Sequence, residues 1–145
     1  MRFLPVARIV VLDADAEHRA STCASLTELG LLQVVQAATL KEAQQLGQEH
    51  PVDLCVVHAR GFEARATDDG KKIFPNPFVH NGTPAILLSA DTSRSATQEA
   101  AASGYVAIVA LPLMPRLLYR RIGSVLQKAR RTGQAAHKTS QPTDD

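Results

Sequence analysis

The sequence predicts an α/β fold: a doubly wound, five-stranded parallel sheet of order 2-1-3-4-5, with helices on both faces in a three-layer sandwich. Three observations predict it. Short apolar runs alternate with amphipathic helical stretches along the chain, as in successive βαβ units. The runs are continuous rather than alternating, which suits strands covered on both faces. Right-handed crossovers then distribute the helices over the two sides. A chain of 145 residues suffices for one such domain with a single core.

Each element has a local cause. "RIVVLDADAEHR" opens with the apolar run Ile9 to Leu12 and then turns acidic, a strand handing over to a helix. Asp15 is the expected N-cap, and Glu17 suits the positive end of the helix dipole. Ala20, Cys23 and Leu26 recur at helical spacing, and Gly30 is the stop. "LLQVVQAA" is the second strand. In "TLKEAQQLGQEH", Thr39 and Glu42 form a capping box, and Leu40, Ala43 and Leu46 form the apolar stripe that ends before Pro51. "VDLCVV" and "PAILLSA" are the third and fourth strands.

"SRSATQEAAASG" is an Ala-rich helix ended by Gly104, and "YVAIVAL" is the fifth strand. The last helix starts at "MPRLLYRRIGSVLQKARR", with Pro115 in its first turn and Leu118, Ile122, Val125, Leu126 and Ala129 on one face. The domain is expected to span 1–131, followed by a disordered polar tail or linker over 132–145. Residues 59–83 break the pattern: two Pro, three Gly and two Asn leave room only for an irregular third helix, best placed at 68–74. This segment could act as a lid or set specificity.

Composition excludes several classes. Aromatic residues make up 4% of the chain and Trp is absent, so a base-stacking nucleic-acid platform is not expected. Cys23 and Cys55 have neither zinc nor disulfide spacing. The N-terminus lacks a signal-peptide pattern and no apolar run reaches 18 residues, so a cytoplasmic location and no membrane association are expected. Charge is uneven: residues 1–99 carry nine Lys/Arg and twelve Asp/Glu, whereas residues 100–143 carry seven Lys/Arg and no acid. A basic last helix suits an acidic protein partner better than nucleic acid, for which there is no reading motif.

In an open parallel sheet, ligands gather at the carboxyl ends of the strands. Those ends carry Asp13, Asp15, His58, Ser89, Ala90 and Leu111. "VVLDADAEHR", "VDLCVVHARG", "PAILLSAD" and "ALPL" together resemble the receiver domain of two-component response regulators, a flavodoxin-like fold, over about residues 7–131. That resemblance implies bacterial phosphorelay signalling without enzymatic activity. It also implies a pair of acids after strand one, a phosphoacceptor Asp after strand three, a Ser or Thr after strand four and a Lys-Pro after strand five. The carboxylates hold Mg²⁺ and the lysine pairs with the phosphoryl group.

This chain departs from that pattern at most of those positions. Asp13 matches the first acid and Asp15 is an extra one, but Ala14 replaces the second. His58 stands at the phosphoacceptor position, Leu111 replaces the lysine before Pro112, and Ile108 replaces a common aromatic switch. Ser89 survives. Mg²⁺ wants near-octahedral oxygen ligands, so a degenerate pocket without metal or other cofactor is expected.

Other readings of the histidines are weaker. Phosphohistidine normally sits on an exposed helix. A cobalamin pattern around "HARG" would need its Asp at Val56, and the acidic "DADAEHR" would repel a flavin phosphate. His18, His50, His80 and His137 lack metal-ligand spacing and read as solvated polar residues.

The expected function is an atypical receiver, a pseudo-receiver not phosphorylated on Asp, acting as a protein-interaction or dimerisation module. Its partner would be a sensor kinase, another regulator or an output protein. The resemblance implies a homodimer or docking surface on the family's helix four, strand five and helix five. Here that places it around Gln98, Ala102, Tyr105, Leu113, Arg116, Tyr119 and Arg120. The competing classes are a receiver that still takes phosphoryl or a small ligand, and the regulatory domain of a truncated DNA-binding regulator.

Overall fold

The computed structural model describes residues 6–59 and 75–140. The expected helix at 68–74 and the last five residues of the expected tail lie outside them. Within the described residues, five parallel strands form one sheet in the order β2-β1-β3-β4-β5. They are β1 (Arg8–Leu12), β2 (Gln33–Ala37), β3 (Leu54–His58), β4 (Ala85–Ser89) and β5 (Ala107–Ala110). The helices are α1 (Ala16–Glu28), α2 (Leu40–Glu49), α3 (Arg94–Ala102) and α4 (Pro115–Ser140).

The continuous apolar runs are explained by burial on both faces. Alternate residues of the central strands fall into two separate cores. Ile9, Val11, Leu54, Val56, Ile86 and Leu88 join Cys23 and Leu26 of α1 and Leu118, Ile122 and Leu126 of α4. Val10, Leu12, Cys55, Val57, Ala85 and Leu87 face the other way, with Ala43 of α2, Ala100 of α3, Phe78 and Tyr105. The sheet is doubly wound, and each strand residue has one side to fill.

The helix starts follow the capping chemistry of the sequence. Asp15 Oδ1 accepts from the His18 amide at 3.0 Å, Thr39 Oγ1 from Glu42 at 3.1 Å and Ser93 Oγ from Ala96 at 3.2 Å. Glu42 returns the bond to the amide of Ala38 rather than Thr39, at 3.3 Å. The last helix departs from expectation. It continues to Ser140 instead of ending near 131, because "TGQAAHKTS" holds no proline and includes several adequate helix formers.

The connection from β3 to β4 is anchored by a residue the sequence did not single out. Asn76 is buried and donates through Nδ2 to Thr83 O at 3.0 Å and to Gly104 O at 3.1 Å. Its Oδ1 accepts from the Phe78 amide at 2.9 Å. It therefore ties this connection to the turn between α3 and β5. Gly104 makes the close approach possible: its φ is +94°, and a Cβ there would stand 3.1 Å from Asn76 Cβ.

Candidate functional site

The carboxyl edge of the sheet is assembled from the ends of β1, β3, β4 and β5 and from the first turns of α1. Asp13 directly follows β1 and is buried. Its Oδ1 accepts from the Asp15 amide at 2.9 Å, and its backbone carbonyl accepts from Arg19 Nη1 at 2.7 Å. Ala14 and Asp15 are exposed, so Asp15 caps the helix at the rim of the site. His58 ends β3 beside Leu88 of β4 and is 3% exposed.

On the far side of the edge, Ser89 ends β4 half-buried. Its hydroxyl donates to Asp91 O at 3.1 Å and accepts from the Asp91 amide at 3.1 Å, a local turn that faces it onto its own loop. Leu111 donates its amide to Ser89 O at 3.0 Å and packs its side chain against the α1/α4 core. Pro112 follows through a cis peptide. His18, Thr22, Ala90, Leu111 and Pro112 line a cleft of about 550 Å³ on this edge.

The structure places Asp13, His58, Ser89 and Leu111 at the ends of β1, β3, β4 and β5, along one edge of the sheet. It also adds a residue that spacing did not reveal. His18 is exposed, as expected, yet its ring meets that of His58 edge-on, with centroids 5.1 Å apart and planes at 79°. One ligand atom from each of Asp13, His18 and His58 lies within 4.8 Å of the others. With Asp15 as N-cap, His18 falls in the first turn of α1, and no local spacing signals that this turn lies beside His58.

Among the described residues, Asp13 is the buried carboxylate of this edge, and Leu111 is the residue that follows β5. Among the same residues Arg19 is a cation near Asp13; its Nε donates to Gln36 Oε1 at 3.0 Å and its Nη1 to the Asp13 carbonyl, on the β2 side. Thiol chemistry is remote. Burial pushes the Cys23 thiol up to about 11 against the pull of Arg19, and burial raises Cys55 further.

The expected interaction surface divides. Gln98 and Ala102 are exposed on α3. Leu113, Arg116 and Arg120 instead line a groove of about 750 Å³ with Ser25 and Glu28 of α1 and its C-cap Leu29. Tyr119 is half-buried, packed on the α1/α4 core, with its hydroxyl 3.7 Å from where a Gly30 Cβ would lie. Tyr105 must be withdrawn from the surface: it is 5% exposed and packs in the α2/α3 core. Its position on the turn between α3 and β5, where its amide donates to Ala100 O at 3.0 Å, directs the ring inward.

The Tyr105 hydroxyl is buried with no hydrogen-bond partner among the described residues, and burial pushes its ionisation up. An unmet buried hydroxyl costs about 1–3 kcal/mol. Tyr105→Phe is therefore expected to leave stability unchanged or raise it by about 1 kcal/mol in urea denaturation. A loss of that size would show the hydroxyl to be bonded.

Comparison with known proteins gives the fold. No family model matches the chain, and no curated protein matches it. Solved structures do. A response regulator receiver domain protein (CheY-like) from Methanospirillum hungatei superposes with a TM-score of 0.66 at 19% identity, over 88% of this chain and 98% of the other. A response regulator from Thermotoga maritima gives 0.67 at 17% identity, over 84% and 98%. A putative pilus assembly-related protein from Burkholderia pseudomallei gives 0.67 at 16% identity, over 88% and 94%. The chain has the flavodoxin-like receiver fold. Among the described residues, no helix is long and apolar enough to cross a membrane.

Proposed function

We propose that this chain is an atypical receiver domain that signals by docking a protein partner and is not switched by phosphorylation of an aspartate. The observation that carries this reading is the end of β3, the phosphoacceptor position of the receiver fold, which here is the buried His58. Ala14 and Leu111 support it. The first removes an oxygen ligand for Mg²⁺ and the second removes the ammonium that would meet a phosphoryl group.

The docking surface is the exposed part of α3 around Gln98 and Ala102 together with the α1–α4 groove. Two features favour an acidic partner for that groove: Arg116 and Arg120 on its wall, and the absence of acidic residues from 100 to 143. A second copy can supply such acidity from its residues 1–99, which carry twelve Asp/Glu against nine Lys/Arg.

Light scattering of the full chain, with and without Mg²⁺ and beryllofluoride, tests the reading. The molar mass is expected to stay the same in both conditions. If the chain is dimeric, Arg116→Glu with Arg120→Glu should shift it toward monomer. A change of mass that needs both Mg²⁺ and beryllofluoride would overturn the proposal in favour of a conventional switch.

A further inference from the structure

We propose that Asp13, His18 and His58 form a three-ligand site for a borderline transition-metal cation of the Zn²⁺ type. The inference goes beyond the docking role and does not depend on it, since a chain with no partner would still bind the ion. What distinguishes the edge from a magnesium site is its donor set. Mg²⁺ demands oxygen ligands in near-octahedral array, whereas imidazole suits Zn²⁺, Co²⁺, Ni²⁺ and Cu²⁺. Two imidazoles and a carboxylate, with a fourth position open, is a donor set found in zinc sites that keep a water.

The distances permit it with little movement. Zinc–ligand bonds of about 2.0–2.2 Å at tetrahedral angles place ligand atoms about 3.3 Å apart. The three candidate atoms already lie within 4.8 Å of one another. Closing that gap needs at most about 1.5 Å, a shift that side-chain rotation supplies. His18 can make it, because it is exposed and projects from the first turn of α1. Asp13 and His58 are the buried, fixed pair.

The surroundings fit an ion as well. The Asp13 carboxylate takes its hydrogen bond from the Asp15 amide on Oδ1, an outer contact of the kind that orients ligating carboxylates and leaves the other oxygen for metal. Arg19 turns its guanidinium onto the Asp13 carbonyl and Gln36, not onto the carboxylate. The cleft beside His18 gives the ion a route and the open position a solvent face.

The test uses the full chain, titrated with Zn²⁺ and, as a spectroscopic probe, with Co²⁺. Stoichiometric binding is expected, with Co²⁺ visible absorption of low coordination number and a rise in melting temperature with Zn²⁺ but not with Mg²⁺. His18→Ala keeps the fold because the residue is exposed, and it should weaken binding at least tenfold. His58→Gln should do the same. His80→Ala, remote from this edge, should change nothing. Binding that survives His18→Ala and His58→Gln, or no Zn²⁺ binding at millimolar ion, would overturn the site. Neither result bears on phosphorylation, which is read separately by acetyl phosphate.

Discussion

Leu12→Ala is expected to destabilise the fold by about 2–4 kcal/mol, measured as a lower urea midpoint at unchanged slope. Leu12 is fully buried on β1, a strand paired on both sides, opposite Ala37 of β2 and Val57 of β3. The core it fills is rich in short side chains: Ala37, Ala43, Ala85 and Ala100 all belong to it. Alanines cannot swing into a void, so the cavity persists and the cost falls toward the upper end of that range. Against a typical domain stability of about 5–15 kcal/mol, such a loss is large. Val34→Ala on the edge strand β2, where the side chain is half-buried, should cost clearly less. Equal effects would mean that the two faces of the sheet are not packed as described.

Restoring the missing chemistry has the second large effect. The triple variant Ala14→Asp, His58→Asp and Leu111→Lys should bind Mg²⁺ and accept phosphoryl from acetyl phosphate, whereas His58→Asp alone should not. The single change sets two carboxylates side by side at a buried edge, so it lowers stability without creating a site. Adding Asp at 14 supplies a third oxygen ligand, and Lys at 111 can run its stem along the path of Leu111 with its ammonium toward the pocket. Melting temperature then separates the variants. Mg²⁺ at a hundred times its dissociation constant should stabilise the triple variant by about 2.7 kcal/mol and leave the wild-type chain unchanged.

Much of this architecture was legible in the residues. Ile9 to Leu12 and Leu54 to Val57 read as strands because continuous apolar runs have one physical explanation in a chain this rich in helical stretches. Asp15 and Thr39 marked their helices because a side-chain oxygen before an apolar stripe meets orphan amides. The strand ends then placed Asp13, His58, Ser89 and Leu111 on one edge.

Four things were not legible, each for a reason of geometry. His18 lies five residues from Asp13 and forty from His58, and no local spacing shows that α1 starts over the end of β3. Tyr105 was assigned to the surface by resemblance, but the turn before β5 points its ring into the core. Arg116 and Arg120 share a helical stripe, and only the packing of α4 on α1 shows that this stripe faces Glu28 rather than α3. Asn76 was passed over because a buried amide with three backbone partners looks, in sequence, like any loop asparagine.

The central claim is that the carboxyl edge of this sheet cannot carry out aspartyl phosphoryl transfer with magnesium. Incubating the wild-type chain with Mg²⁺ and excess acetyl phosphate, then measuring its intact mass, tests that claim most directly. The account predicts no change in mass under conditions in which the triple variant gains one phosphoryl group. A magnesium-dependent gain of one phosphoryl group by the wild-type chain, mapped to the end of β1 or β3, would contradict it.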